Sequence, residues 1–170
     1  MTPSMSQVIS NTSPLTNLAV IGQLQLVQTQ LSCVTVPEAV WREMLALPHR
    51  DGRAALNAAR TAGWLRIAAI ANPAMATSLR LAGLDEGESE AIALAIETSE
   101  PLLLIDEKKG RLAARRLGVP VAGALAIVAT ARRTGAISSA KAQIDRLRSE
   151  AGFFISDEVE AHSLRLAGEL

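Results

Sequence analysis

The sequence predicts an α/β fold built on a parallel sheet, and three observations carry that reading. Short apolar runs alternate with helical stripes along most of the 170 residues, which is the pattern of βαβ units. Hydrophobic residues make up 49% and charged residues 20%, enough apolar material to bury a core. The run Leu102-Leu103-Leu104-Ile105 shows no polar alternation, as expected of a strand covered on both faces.

Val8 and Ile9 open the first run, which stops at Ser10-Asn11-Thr12-Ser13-Pro14. Ser13 is expected to cap the next helix, with Pro14 at its first position. Leu15, Leu18, Ala19 and Ile21 form its apolar stripe, and Gly22 ends it. A short helix is predicted over 24–29 and a strand over 32–36. Pro37 is predicted to start the following helix, with Val40, Met44 and Leu47 as its apolar face. Asp51 is expected to cap a helix ending at Gly63, ahead of a strand over 64–70. Residues 72–83 read as a connecting segment of partly helical character. Asp85-Glu86-Gly87-Glu88 leads into a helix over 91–96, its acids suiting the positive end of the helix dipole. The strand over 102–105 ends at Asp106. A basic helix over 108–117 follows, closed by Gly118, and then a short strand over 119–121. Helices over 123–134, over 138–149 and from Asp157 complete the chain. Nothing repeats and no linker interrupts the pattern, so residues 1–170 read as one domain, with 138–170 a helical C-terminal extension packed on it.

Composition removes several classes of function. Two Trp, two Phe and no Tyr leave little for base stacking, and Trp41 and Trp64 read as packing residues. The formal net charge is zero, so nucleic-acid contact would need a local basic patch. The lone Cys33 excludes an internal disulfide and a Cys-rich zinc site. It reads as a small buried hydrophobe, and a cytoplasmic location is expected. Met-Thr-Pro-Ser-Met-Ser has neither the basic nor the apolar region of a signal peptide. The longest apolar stretch, 119–131, contains Pro120 and is too short to span a bilayer. P-loop, dinucleotide and Gly-x-Ser-x-Gly patterns are missing. His49 and His162 lie outside any metal-ligand spacing and read as surface residues.

What remains is carboxylate chemistry. Open α/β sheets bind ligands beyond the carboxyl ends of their strands. Asn11 and Asp106 each follow a predicted strand, Glu43 lies on the helix after strand 32–36, and Glu88 starts the Ala-rich helix. Carboxylates converging there repel unless a cation joins them, and hard oxygens suit Mg²⁺ or Mn²⁺. Taken singly, the acids read first as structural: Glu43 as a solvated helix residue, and Glu88 or Glu90 as first-turn acids matched to the helix dipole. The basic helix carries Lys108, Lys109, Arg111, Arg115 and Arg116. It is either a phosphate-contacting face, with Lys108, Arg111 and Arg115 touching RNA, or an ordinary solvated one.

Asn11-Thr12-Ser13-Pro14-Leu15 after a strand resembles the opening of PIN domains, in particular of a subfamily of unassigned function that begins with this kind of Asn/Asp-x-Ser-Pro-Leu segment. The likeness continues through Val36-Pro37-Glu38-Ala39-Val40-Trp41-Arg42-Glu43 and through Leu84-Asp85-Glu86-Gly87-Glu88-Ser89-Glu90-Ala91-Ile92-Ala93-Leu94-Ala95. It runs on through Leu104-Ile105-Asp106-Glu107-Lys108-Lys109-Gly110-Arg111, Gly118, Gly152-Phe153 and Leu166-Ala167-Gly168-Glu169. The resemblance implies a three-layer α/β/α fold around a mostly parallel sheet of about five strands. It implies an Mg²⁺- or Mn²⁺-dependent endoribonuclease, similar to VapC-type toxins that pair with an antitoxin protein, and a homodimer. By position it implies that Asn11, Glu43, Glu88 and Asp106 hold the metal, with Glu90 and Glu107 as alternates. Glu43, Glu88, Asp106 and Ser13 would form the catalytic set.

One position departs from the pattern. Asn11 stands where the family's first aspartate usually stands. An amide oxygen can ligate a hard cation but brings no charge. Three outcomes follow: weakened catalysis, compensation by Glu107 or Glu90, or a non-catalytic module that binds RNA or protein.

Overall fold

The structure is a computed structural model that describes residues 6–170. The opening tract read above for a signal peptide lies almost wholly outside the described residues. One sheet contains β1 (Gln7–Ser10), β2 (Val34–Pro37), β3 (Leu65–Ala68), β4 (Pro101–Leu104) and β5 (Val121–Ala122). All pairs are parallel, in the order β3-β2-β1-β4-β5. The chain therefore leaves β1 toward one side, builds β2 and β3, and returns to the other side for β4 and β5. That makes the gap between β1 and β4 the switch point, where the loops leaving the two strands diverge.

Ten helices surround the sheet among the described residues. They are α1 (Thr12–Val20), α2 (Gln25–Leu31), α3 (Glu38–Leu45), α4 (Arg50–Thr61), α5 (Pro73–Leu81), α6 (Glu86–Glu97), α7 (Lys108–Arg116), α8 (Ala124–Arg133), α9 (Ala140–Ala151) and α10 (Asp157–Ala167). Val8, Ile9 and Ser10 are buried in succession, as are Leu103, Leu104 and Ile105. Successive strand residues point to opposite faces, so both faces must be covered. The architecture is three-layer α/β/α. Helix α6 crosses β1, β2 and β4, and buried Ala91, Ala93 and Ala95 keep its side chains short where it lies on the sheet.

Several local expectations need correction. Asn11, not Ser13, is the N-cap of α1, so the helix begins before Pro14. His49, not Asp51, caps α4: its Nδ1 accepts the Gly52 N–H at 2.9 Å. A neutral imidazole nitrogen can do this as well as a carboxylate. Residues 73–81 are a full helix, with the Asn72 side chain accepting from the Met75 N–H and Pro73 at the first position. Helix α6 begins at Glu86 rather than Ala91, because Asp85 and Glu88 form a reciprocal capping box. Pro37 ends β2 and caps α3, and Leu47 lies past that helix, packed on the core. Cys33 precedes β2 and is only half-buried. Trp41 and Trp64 are buried packing residues, and the Arg60 guanidinium lies 5.1 Å from the Trp41 ring centroid.

Helix α9 buries Ile144 and Leu147 against α1 and α8, and α10 packs on α8. The Ser139 side chain caps α9, and the Glu169 carboxylate accepts the N–H groups of Ala140 and Lys141 and the Nε–H of Arg132. Among the described residues no helix is long and apolar enough to cross a membrane.

Candidate active site

The carboxyl edge of the sheet collects most of the predicted site. Asn11 follows β1 directly, and its N–H donates to Leu104 O at 2.8 Å, which extends the β1–β4 ladder by one rung. Asp106 follows β4 by two residues, after Ile105, whose N–H bonds Ala122 O. Both side chains thus leave neighbouring central strands at the switch point. Asp106 Oδ1 accepts the N–H of Ala124, the first residue of α8, at 2.9 Å. Its Oδ2 is buried with no hydrogen-bond partner, as is Oδ1 of Asn11. Among the described residues only three buried side-chain polar atoms lack a partner, the third being Ser89 Oγ. Such orphans cost roughly 1–3 kcal/mol each, so two at one edge mark it as unlike the rest of the interior.

Glu107 is the N-cap of α7, yet it makes no cap bond to its own helix. Its carboxylate instead accepts from Asn11 Nδ2 at 3.3 Å and from Ser13 Oγ at 2.6 Å. Glu43, on α3, accepts from the Thr12 hydroxyl. Although much of Glu43 is exposed, its carboxylate rests on the α6 backbone: a Cβ built on Gly87 would lie 2.5 Å from Oε1. Glu88 is buried, and its Oε2 accepts the N–H of Asp85 at 3.0 Å. Glu90 turns elsewhere, its Oε2 accepting the N–H of Ala39 in the first turn of α3 at 3.0 Å.

Burial dominates the electrostatics of the acids. It pushes Asp106 up to about 6, against the opposing pull of the Ala124 N–H and the Arg111 guanidinium. Loss of water also raises Glu43, opposed by the Thr12 hydroxyl, and raises Glu88, opposed by the Asp85 N–H. Carboxyls held above their ordinary range by desolvation are the groups a cation would relax.

The acids do not close on a single point. Among the described residues no three His, Cys, Asp or Glu side chains are grouped tightly enough to hold an ion alone. Asn11 Oδ1 and Asp106 Oδ2 nevertheless present hard, partnerless oxygens of the kind Mg²⁺ or Mn²⁺ takes. The donor chemistry therefore fits a hard divalent ion. A surface depression of about 590 Å³, lined by Thr77, Arg80, Leu81, Leu84, Asp85 and Glu86, takes in none of the predicted site residues. On the basic helix, Arg111 Nη1 donates to Ile105 O and Lys109 Nζ donates to Gly83 O, while Lys108 and Arg115 are exposed.

Sequence reasoning does not find the Thr12–Glu43 contact or the diversion of Glu107 toward α1. The short side chains at 12 and 13 are the available signal: hydroxyls beside a strand end serve as carboxylate holders as readily as caps.

A five-stranded parallel sheet between two layers of helices, with Asn11 and Asp106 at its switch point, is a PIN-like α/β/α fold. The chain belongs to the PIN-domain family: the family's model, described as a PIN domain, matches residues 7–169. No curated protein matches the sequence.

Proposed function

We propose that this PIN domain is an Mg²⁺- or Mn²⁺-dependent endoribonuclease that hydrolyses phosphodiester bonds of RNA. The observation that carries the reading is the pair of buried, partnerless oxygens on Asn11 and Asp106 at the ends of adjacent strands. Asn11 and Asp106, together with Glu43 and Glu88, are the residues that would hold the ion directly or through water. A divalent ion supplies a water of lowered pKa and offsets phosphate charge. The chain's own part is to keep these oxygens dry and aimed: Ala124 N–H fixes Asp106, the Thr12 hydroxyl fixes Glu43, and Asp85 N–H fixes Glu88. Lys108 and Arg115, exposed on the helix that follows Asp106, would meet the RNA backbone. The reading extends to a cytoplasmic homodimer acting as the toxin of a toxin–antitoxin pair.

The test is cleavage of single-stranded RNA with added Mn²⁺ by the wild type and by Asp106→Asn. The expected loss on Asp106→Asn is on the order of 100-fold; equal activity in both proteins would end the proposal.

A second reading has its own support. With no three acids around one point among the described residues, and with an amide at position 11, the domain could bind RNA or a protein partner without cleaving. Calorimetry with Mn²⁺ separates the two, because binding of the metal favours the nuclease.

A further inference from the structure

The Asn11–Glu107 contact carries an inference that rests on the metal reading above and goes beyond it. Position 11 is 3% exposed, with one side-chain atom donating to Glu107 and the other unpartnered. The amide has to face this way, because turning it would set Oδ1 against a carboxylate. An ionised aspartate at position 11 could not donate. Glu107 is meanwhile an N-cap residue whose carboxylate makes no bond to its own helix and is held by Asn11 and Ser13, from a segment 94 to 96 residues earlier. Glu90 is not available for this role, since its carboxylate holds the first turn of α3.

We infer that Asn11 and Glu107 are a charge-relocated pair, in which Glu107 supplies the negative ligand for a divalent cation and Asn11, with Ser13, holds it beside Asp106. Glu107 is exposed, so an ion can reach it from solvent, whereas a carboxylate at the buried position 11 would need its counter-charge already in place. The arrangement keeps the charge of the site while allowing the strand end to stay buried without metal.

The experiment compares wild type, Glu107→Gln, Asn11→Asp and the swap Asn11→Asp/Glu107→Gln. Metal-free melting temperature and Mn²⁺ affinity by calorimetry are read for each. A glutamine at position 107 keeps an acceptor for Asn11 and can exchange donor roles with the Ser13 hydroxyl, so Glu107→Gln should melt within a few degrees of wild type. Its Mn²⁺ affinity should fall on the order of 10-fold or more. Asn11→Asp should lower the metal-free melting temperature by about 5 °C, and Mn²⁺ should restore it. In the swap the hydrogen bond runs in reverse. It should melt above Asn11→Asp without metal and bind Mn²⁺ within about threefold of wild type.

Wild-type affinity in Glu107→Gln, or an Asn11→Asp protein of undiminished metal-free stability, would overturn the pair. Failure of the wild type itself to bind millimolar Mn²⁺ would remove the metal reading, and this inference with it.

Discussion

The carboxylate of Glu43 occupies the space that a side chain at Gly87 would need. A Cβ there would lie 2.5 Å from Oε1, 2.8 Å from Oε2 and 2.9 Å from Cδ. Gly87 has no positive φ, so its backbone does not require glycine. The requirement comes from the close approach of an acid carried on another helix.

Gly87→Ala should therefore separate folding from function. Alanine suits the first turn of α6 better by roughly 0.5–1 kcal/mol, and Glu43 is a flexible side chain that can swing aside. The melting temperature should hold or rise slightly. Mn²⁺ affinity should drop on the order of 10-fold as Glu43 is displaced. Parallel melting and calorimetry check both halves, and an unchanged affinity would show that Glu43 plays no part in metal binding.

Asp106 makes stability depend on pH in a definite direction. Burial raises it to about 6 from an ordinary 3.8. Between those values the folded protein keeps a proton that the unfolded chain releases, so stability falls as pH rises from about 4 to about 6 and is level above. The contribution is at most on the order of 2–3 kcal/mol. Glu43 and Glu88 are raised too, which is why the difference between wild type and Asp106→Asn is the useful quantity. Without added metal, Asp106→Asn should match wild type near pH 4 and melt about 5 °C higher near pH 7.5. Melting curves across that range check it; a variant that is less stable at the higher pH would contradict the burial argument.

Glu90 should prove structural. Its carboxylate satisfies the Ala39 N–H at the start of α3, a helix whose own N-cap, Pro37, offers no side-chain bond. Glu90→Ala should cost about 1 kcal/mol in urea denaturation, and Mn²⁺ affinity should stay at the wild-type value. A large loss of affinity with stability intact would instead make Glu90 a ligand.

Glu169 should anchor the C-terminal helices. With Ser139 it satisfies three N–H groups in the first turn of α9, those of Ala140, Lys141 and Ala142. Glu169→Ala should destabilise the protein by roughly 1–2 kcal/mol. Hydrogen exchange should speed up first in the opening turn of α9 and in α10; uniform exchange across the molecule would argue against a local anchor.

The alternation of strands and helices is legible because β1, β2 and β4 are short apolar runs and α1 and α6 carry clear stripes. The helix over 73–81 is harder to read, although Asn72-Pro73 is a strong start signal, because only Ala76 and Leu79 are buried along it, too few to show as a stripe. The cap at His49 goes unread in favour of Asp51, since either could accept an N–H of the first turn, and Asn11 is an N-cap by position alone, with no side-chain cap bond to signal it. Position along the chain locates Asp106 and Asn11 at one edge. It does not separate Glu88 from Glu90: two residues apart on a helix they face different ways, and only packing shows which way α6 is rolled. The Glu107 contacts join residues more than ninety positions apart, and no local pattern encodes them.

Strand order also sets a clock. β1 leaves the ribosome before the other described strands, but its partner across the switch point is β4, and the N–H that fixes Asp106 belongs to Ala124. At roughly 5–20 residues per second, the interval between synthesis of β1 and of Ala124 is on the order of ten seconds. Until β4 and Glu107 have been made, the edge has no second wall, and Asn11 faces neither Leu104 nor Glu107. A chain that stops short of β4 carries Asn11 without either wall of this edge.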